Sequence, residues 1–215
     1  MGGDATLASD EEIGLLQRAA SGDEHAVHEL FSRHRERLKR MVHLCLSRRL
    51  QGRVDDSDVV QEALIDCARK LPEYVAEPKL PFFLWLRHMT GLKLTEIHRR
   101  HLGTQLRDAD REVTLHRGAL PEADSISLAA QLLGQLTTPS QAAIRAETRL
   151  LVQEALNAMD PIDREVLALK HFEQLSTSEI AEVLGMSKAG AGSRYLRAIK
   201  RLREVLEQIP GFMDG

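Results

Sequence analysis

Aromatic residues are only 4% of this 215-residue chain, and long stretches lack the Val/Thr/Tyr alternation that half-buried strands need. Leu, Ala, Val and Ile must therefore fill the core of a sequence that is 43% hydrophobic, which suits helices more than sheets. No apolar run of about 20 residues is present to cross a bilayer. From Met1 to Leu16 no basic flank precedes an apolar run, so no secretory leader is read there. The opening Met1-Gly2-Gly3-Asp4-Ala5-Thr6 fits a loose myristoylation pattern, but acidic residues follow it and the pattern matches many unrelated chains. The 2 cysteines, Cys45 and Cys67, lie inside apolar helical patterns rather than in a close metal-type pair, and read as buried reduced thiols of a cytoplasmic protein. Neither a phosphate-cradling glycine loop nor a nucleophile motif occurs. His98 and His101 share a helix face at i, i+3. Arg99 and Arg100 disfavour a cation beside them, and no third ligand stands at fixed spacing. Neither catalysis, nor a metal, nor any other cofactor is expected.

What is present is charge, unevenly placed. The formal net charge is -3, yet Arg33, Arg35, Arg37, Lys39 and Arg40 form one basic run, with Arg48, Arg49 and Arg53 behind it. Lys188, Arg194, Arg197, Lys200, Arg201 and Arg203 form another. Acidic residues gather at Asp10-Glu11-Glu12, at Asp55-Asp56-Ser57-Asp58 and between Asp108 and Asp124. Phosphate neutralisation drives non-specific DNA affinity, so such a chain should bind DNA weakly alone and need a larger partner to hold it there.

The pattern predicts an all-α protein: two small helical domains, 10–101 and 142–210, joined by a long flexible linker over 102–141. Leu30, Leu38, Val42 and Leu46 recur at helical spacing, then Val60, Leu64, Cys67 and Leu71. Pro72, Pro78 and Pro81 suggest a loop from Glu73 to Pro81 before a third helix restarts near Phe82. From Gly103 to Ser140 the periodicity weakens, with one short helix expected over Ser127–Leu136. Leu150, Leu151, Ala155, Leu156 and Met159 then form an apolar stripe, followed by a helix from Asp163 to Phe172.

The most specific local signal comes next. Ser176 and Glu179 form a capping box, Ile180, Ala181 and Leu184 face inward, and Gly185 stops the helix. Ser187 caps a further helix carrying Ala191, Tyr195, Ile199 and Leu202 on one side and Lys188, Arg194, Arg197 and Arg201 on the other. Two short helices in this order read as a helix-turn-helix whose second member enters a major groove. A plain helical hairpin with a solvated face is the bland alternative.

Asp163-Arg164-Glu165-Val166-Leu167, Leu175-Ser176, Glu179-Ile180-Ala181, Leu184-Gly185-Met186-Ser187, Ser193-Arg194 and Arg197-Ala198 resemble region four of RNA polymerase sigma factors. Ser21-Gly22-Asp23-Glu24-His25-Ala26 with Leu30-Phe31 resembles the opening of region two. Asp58-Val59-Val60-Gln61-Glu62-Ala63 resembles its polymerase-binding helix, and Phe82-Phe83-Leu84-Trp85-Leu86 its promoter-melting segment. Two regions without a region three resemble the extracytoplasmic-function (ECF) group. The run from Pro161 to Glu173 is similar to a planctomycete-type subset.

The resemblance implies a non-enzymatic subunit that binds core RNA polymerase and promoter DNA, with an anti-sigma factor as a further partner and neither membrane insertion nor a small-molecule substrate. Asp55, Asp58, Gln61 and Glu62 would meet the polymerase; helix capping by these acids is the local alternative. Phe82, Phe83, Trp85, Arg87, His88, Arg99 and Arg100 would melt and bind the downstream element, at least one of the three aromatics being structural. Ser187, Lys188, Ser193, Arg194 and Arg197 would bind the upstream element. Gly190, Ala191 and Gly192 depart from the usual Thr-Val-basic triplet, and Leu92 stands where relatives carry a polar residue. A free-standing operator-binding regulator is the rival reading; restoration of initiation by core polymerase separates the two.

Overall fold

The structure, a computed structural model, describes residues 10–46, 50, 52–102, 128–129 and 142–207. Every element among them is an α-helix: α1 (Asp10–Ala20), α2 (Glu24–Cys45), α3 (Asp56–Ala76), α4 (Phe82–Leu102), α5 (Ala142–Asn157), α6 (Pro161–His171), α7 (Thr177–Val183) and α8 (Lys188–Leu206). The chain divides into two compact units, Met1–Pro121 with Glu182–Gly185, and Glu122–Ala181 with Met186–Gly215. Residues 103–127, most of the stretch where a short helix was expected, and the Met1–Ser9 segment with the myristoylation-like pattern lie outside the described residues.

In the first unit α2 is central, packed by α1, α3 and α4, with α3 also against α1 and α4. Its start is fixed locally: the Asp23 carboxylate accepts from the Ala26 amide at 3.1 Å and takes the Arg18 guanidinium at 2.6 Å. Leu30, Leu38, Met41 and Val42 point inward at the helical period and meet Val59, Val60, Ala63 and Cys67 of α3 and Leu86 and Leu94 of α4, all fully buried. Burying each such aliphatic side chain is worth about 1.5–3 kcal/mol. Cys45 and Cys67 are both free and buried, and burial pushes the Cys67 thiol up to about 12.

The loop expected from Glu73 is shorter than the prolines suggest. Helix α3 runs through Pro72 to Ala76. Pro72 and Ala68, whose carbonyl the missing amide would have met, are both exposed, so solvent is available to that carbonyl. Leu71 and Tyr74 are buried on the other side and hold the turn. Tyr74 then donates its hydroxyl to the Leu80 carbonyl at 2.9 Å, which ties down the chain before α4.

The second unit sets α5 and α6 against α8. Asp160 caps α6 through the Ile162 amide at 2.8 Å, and Pro161 occupies the first turn, where its missing N–H costs nothing. Val152, Leu156, Val166, Leu167, Leu169 and Phe172 are buried with Ala191, Ala198 and Leu202 of α8. The α5 stripe is rotated from its expected face: Val152, Ala155, Leu156 and Met159 are buried, while Leu150 and Leu151 are exposed.

Candidate nucleic-acid interface

The capping box closes as its residue types require. The Glu179 amide donates to Ser176 Oγ at 3.2 Å and the Ser176 amide donates to Glu179 Oε2 at 2.7 Å. Helix α7 is only 7 residues long, so buried Ile180, Ala181 and Leu184 stabilise it more than its own hydrogen bonds do. Gly185 sits at φ +62°, the left-handed conformation that glycine adopts without the steric cost a Cβ would bring. There the Met186 amide reaches back to the Ala181 carbonyl at 2.9 Å and the helix ends. Ser187 opens α8 by accepting from the Gly190 amide at 3.1 Å.

Helix α8 buries Ala191, Ala198 and Leu202 and exposes Lys188, Ala189, Ser193, Leu196, Arg197, Lys200 and Arg201. Arg194 departs from the expected outer row. Its Nη1 lies 2.7 Å from Asp163 Oδ1 and 3.3 Å from Asp160 Oδ1, at the start of α6. Asp163 is buried, so it needs that cation, and the Asp163 hydrogen bond raises the Arg194 pKa above its ordinary value. Arg197 stays outward, 3.7 Å from the other Asp163 oxygen. A Cβ at Gly192 would meet Thr177 Cγ2 at 4.0 Å, and one at Gly190 would meet Ser187 Oγ at 3.1 Å. Gly192 therefore marks where α7 and α8 pass each other. Tyr195 Oη lies 3.3 Å from His171 Nε2, a further link between α6 and α8.

On α3, Asp55 is the N-cap, accepting from the Ser57 amide at 2.7 Å. Asp58, Gln61 and Glu62 are exposed on one face while Val59, Val60, Ala63 and Leu64 are buried. Gln61 Oε1 accepts from Arg35 Nη1 of α2 at 2.9 Å. The acidic and amide row thus coexists with the cap.

The aromatic segment resolves into two groups. Phe82, Phe83 and Arg87 are buried, with exposures of 4%, 5% and 4%. Phe82 packs against Phe31, Tyr74 and Trp85, and Arg37 lies over the Phe83 ring, 3.6 Å from its centroid. In this arrangement those three side chains are part of the core. Trp85 is half-buried and stacked on Tyr74 at 4.5 Å, His88 is half-buried, and Arg99 and Arg100 are exposed. Lys93 is held by Asp66 at 2.7 Å and Glu96 at 3.0 Å, and Glu96 also pairs with Arg100 at 2.5 Å. These carboxylates, which the sequence reading did not single out, neutralise much of the basic α4 face. Leu92 is exposed. His98 is buried and His101 exposed, so the two rings stand in different environments. Among the described residues no helix is long and apolar enough to cross a membrane.

Comparison with known proteins places this geometry. Residues 149–202, which span most of α5 through α8, match the family Sigma-70, region 4. The RNA polymerase sigma-E factor of Streptomyces antibioticus is 46% identical over 59 residues, 27% of this chain and 33% of that protein. The chain thus aligns with about a third of that relative's length. The ECF RNA polymerase sigma factor ShbA of Streptomyces griseus is 28% identical over 201 residues, 90% of this chain and 94% of that protein. Among solved structures, CnrH in complex with the cytosolic domain of CnrY has the same fold, with a TM-score of 0.54 and 23% identity over 92% of this chain and 98% of that one. A region 4 helix-turn-helix preceded by a helical unit, aligned with an ECF RNA polymerase sigma factor over nearly its whole length, is what this chain has in common with these proteins.

Proposed function

We propose that the chain binds core RNA polymerase and directs promoter-specific initiation of transcription, without catalytic activity of its own. The capped helix-turn-helix of α7 and α8 carries the reading, since its caps, turn and outward basic row fall inside the stretch matched to region 4. Under it, 10–101 acts as region 2, 102–141 as a linker and 142–210 as region 4.

The roles then divide by exposure. Asp58, Gln61 and Glu62 offer polymerase a row of acids and amide on a rigid helix. Trp85, His88, Arg99 and Arg100 are the members of the melting segment left to meet the opened downstream element, by stacking and by phosphate attraction. Ser187, Lys188, Ser193 and Arg197 face the upstream duplex. A net charge of -3 supports dependence on a larger DNA-holding partner, and an anti-sigma factor is the partner that would mask these surfaces between rounds.

Transcription with purified core polymerase on genomic DNA tests the proposal. Defined start sites are expected with the protein and none without it. Asp58→Lys with Glu62→Lys should weaken core binding by about tenfold or more through like-charge contact and leave the thermal midpoint nearly unchanged. A protein that binds duplex DNA unaided and ignores core polymerase is an operator-binding regulator, and the proposal is then wrong.

A further inference from the structure

We propose that α8 reads its duplex through an apolar contact from Leu196, and that Arg194 is a positioning residue rather than a DNA contact; this rests on the initiation role argued above. Reading a guanine with arginine takes a planar pair of free N–H donors aimed at O6 and N7. Arg194 Nη1 is already committed to Asp163 at 2.7 Å and approached by Asp160 at 3.3 Å. The Asp163 side chain is only 6% exposed. Withdrawing the guanidinium would leave a buried carboxylate unpaired, which is costly. The three groups clamp the outer side of α8 to the first turn of α6 and set its pitch.

Base reading must then come from what α8 does present. Ala189, Ser193, Leu196 and Lys200 follow one another at i, i+4, i+7 and i+11, so they form one line along the helix. Leu196, at 68%, is the most exposed of the large hydrophobic side chains among the described residues. An isolated surface leucine is ordinary. This one lies between a hydroxyl and a cation on the exposed side of a helix whose buried side is alanine and leucine. The thymine 5-methyl is the apolar handle of the major groove, and an aliphatic side chain in this row is suited to it.

The test uses full-length protein bound to core polymerase and duplexes selected by that complex from a randomised pool. Each thymine is then replaced by uracil, which removes only the methyl. One replacement should weaken binding about fourfold, the worth of one buried carbon; the Leu196→Ala protein should not sense it. The paired variant Arg194→Gln with Asp163→Asn removes the clamp without leaving a lone buried charge. It should lower affinity for all duplexes alike and keep the salt slope, whereas Arg197→Gln should lower the slope by about one phosphate contact. A slope that falls for the paired variant puts Arg194 on DNA and overturns its positioning role. If no thymine separates wild type from Leu196→Ala, the apolar contact is wrong. If the complex selects no duplex and starts no transcript, the initiation role falls and this proposal with it.

Discussion

A carboxylate at the first turn of a helix can cap it or face solvent, and Asp55 and Asp58 differ in this way. Asp55 accepts the Ser57 amide, which satisfies a donor that the helix leaves unpaired. Asp58, one turn further on, is exposed. Asparagine caps as well as aspartate, so Asp55→Asn should leave folding stability within about 0.5 kcal/mol of wild type while Asp55→Ala costs about 1 kcal/mol. Asp58→Asn should show the opposite profile, unchanged in urea denaturation and weaker on core polymerase. Should Asp55→Asn lose polymerase binding as fully as Asp58→Asn, Asp55 belongs to the interface as well as to the cap. The same reasoning separates the aromatics. Trp85, stacked on Tyr74 and Phe82, stays half-buried, whereas Phe82 is enclosed by Phe31, Tyr74, His34 and Trp85.

At the scale of elements, the departures in α8 become a stability question. Two glycines in a helix interior each cost roughly 0.5–1 kcal/mol relative to alanine, but they sit in different places. A Cβ at Gly192 meets Thr177 at an ordinary 4.0 Å, so Gly192→Ala should raise stability by about that amount. At Gly190 the new Cβ falls 3.1 Å from Ser187 Oγ, the atom that caps the helix. Gly190→Ala should therefore gain less, or lose, and urea midpoints of the two variants measure the difference. Helix α8 and its cap were legible in the sequence because caps, glycine stops and small contact residues are local chemistry. Three features were not, for a common reason. Pro72 inside α3, the outward turn of Leu150 and Leu151, and the diversion of Arg194 to Asp163 all depend on which neighbour lies alongside. Spacing reports a residue's face on its own helix; it does not report the partner across the gap. Helix α1 escaped notice too, because a single acidic first turn and two adjacent leucines make a weak period.

Across the whole molecule, imidazoles partly or wholly withdrawn from solvent set how stability responds to pH. Burial holds His34 and His98 in the first unit, and His171 in the second, below the ordinary imidazole value of 6.5. Glu12, 3.4 Å from His34 Nε2, pulls the other way without reversing it. A histidine with a depressed folded pKa takes up its proton more readily in the unfolded chain. The unfolded state therefore binds more protons below 6.5, and stability falls as pH drops through that value. Above it all three rings are neutral in both states and the contribution is level. The paired carboxylates Asp23, Asp66, Glu96 and Asp160 have lowered pKa values, so their contribution is lost only below the ordinary carboxylate values of 3.8 and 4.5. Between about pH 6.5 and 5 the histidines then act alone. The thermal midpoint should be flat from pH 8 to 7 and decline steadily below 6.5. Because the three rings belong to two units, His171→Gln should flatten only part of that decline and His34→Gln with His98→Gln the rest. A midpoint as high at pH 5 as at pH 7.5 would mean that these rings gain compensating partners when charged, and that burial does not govern them.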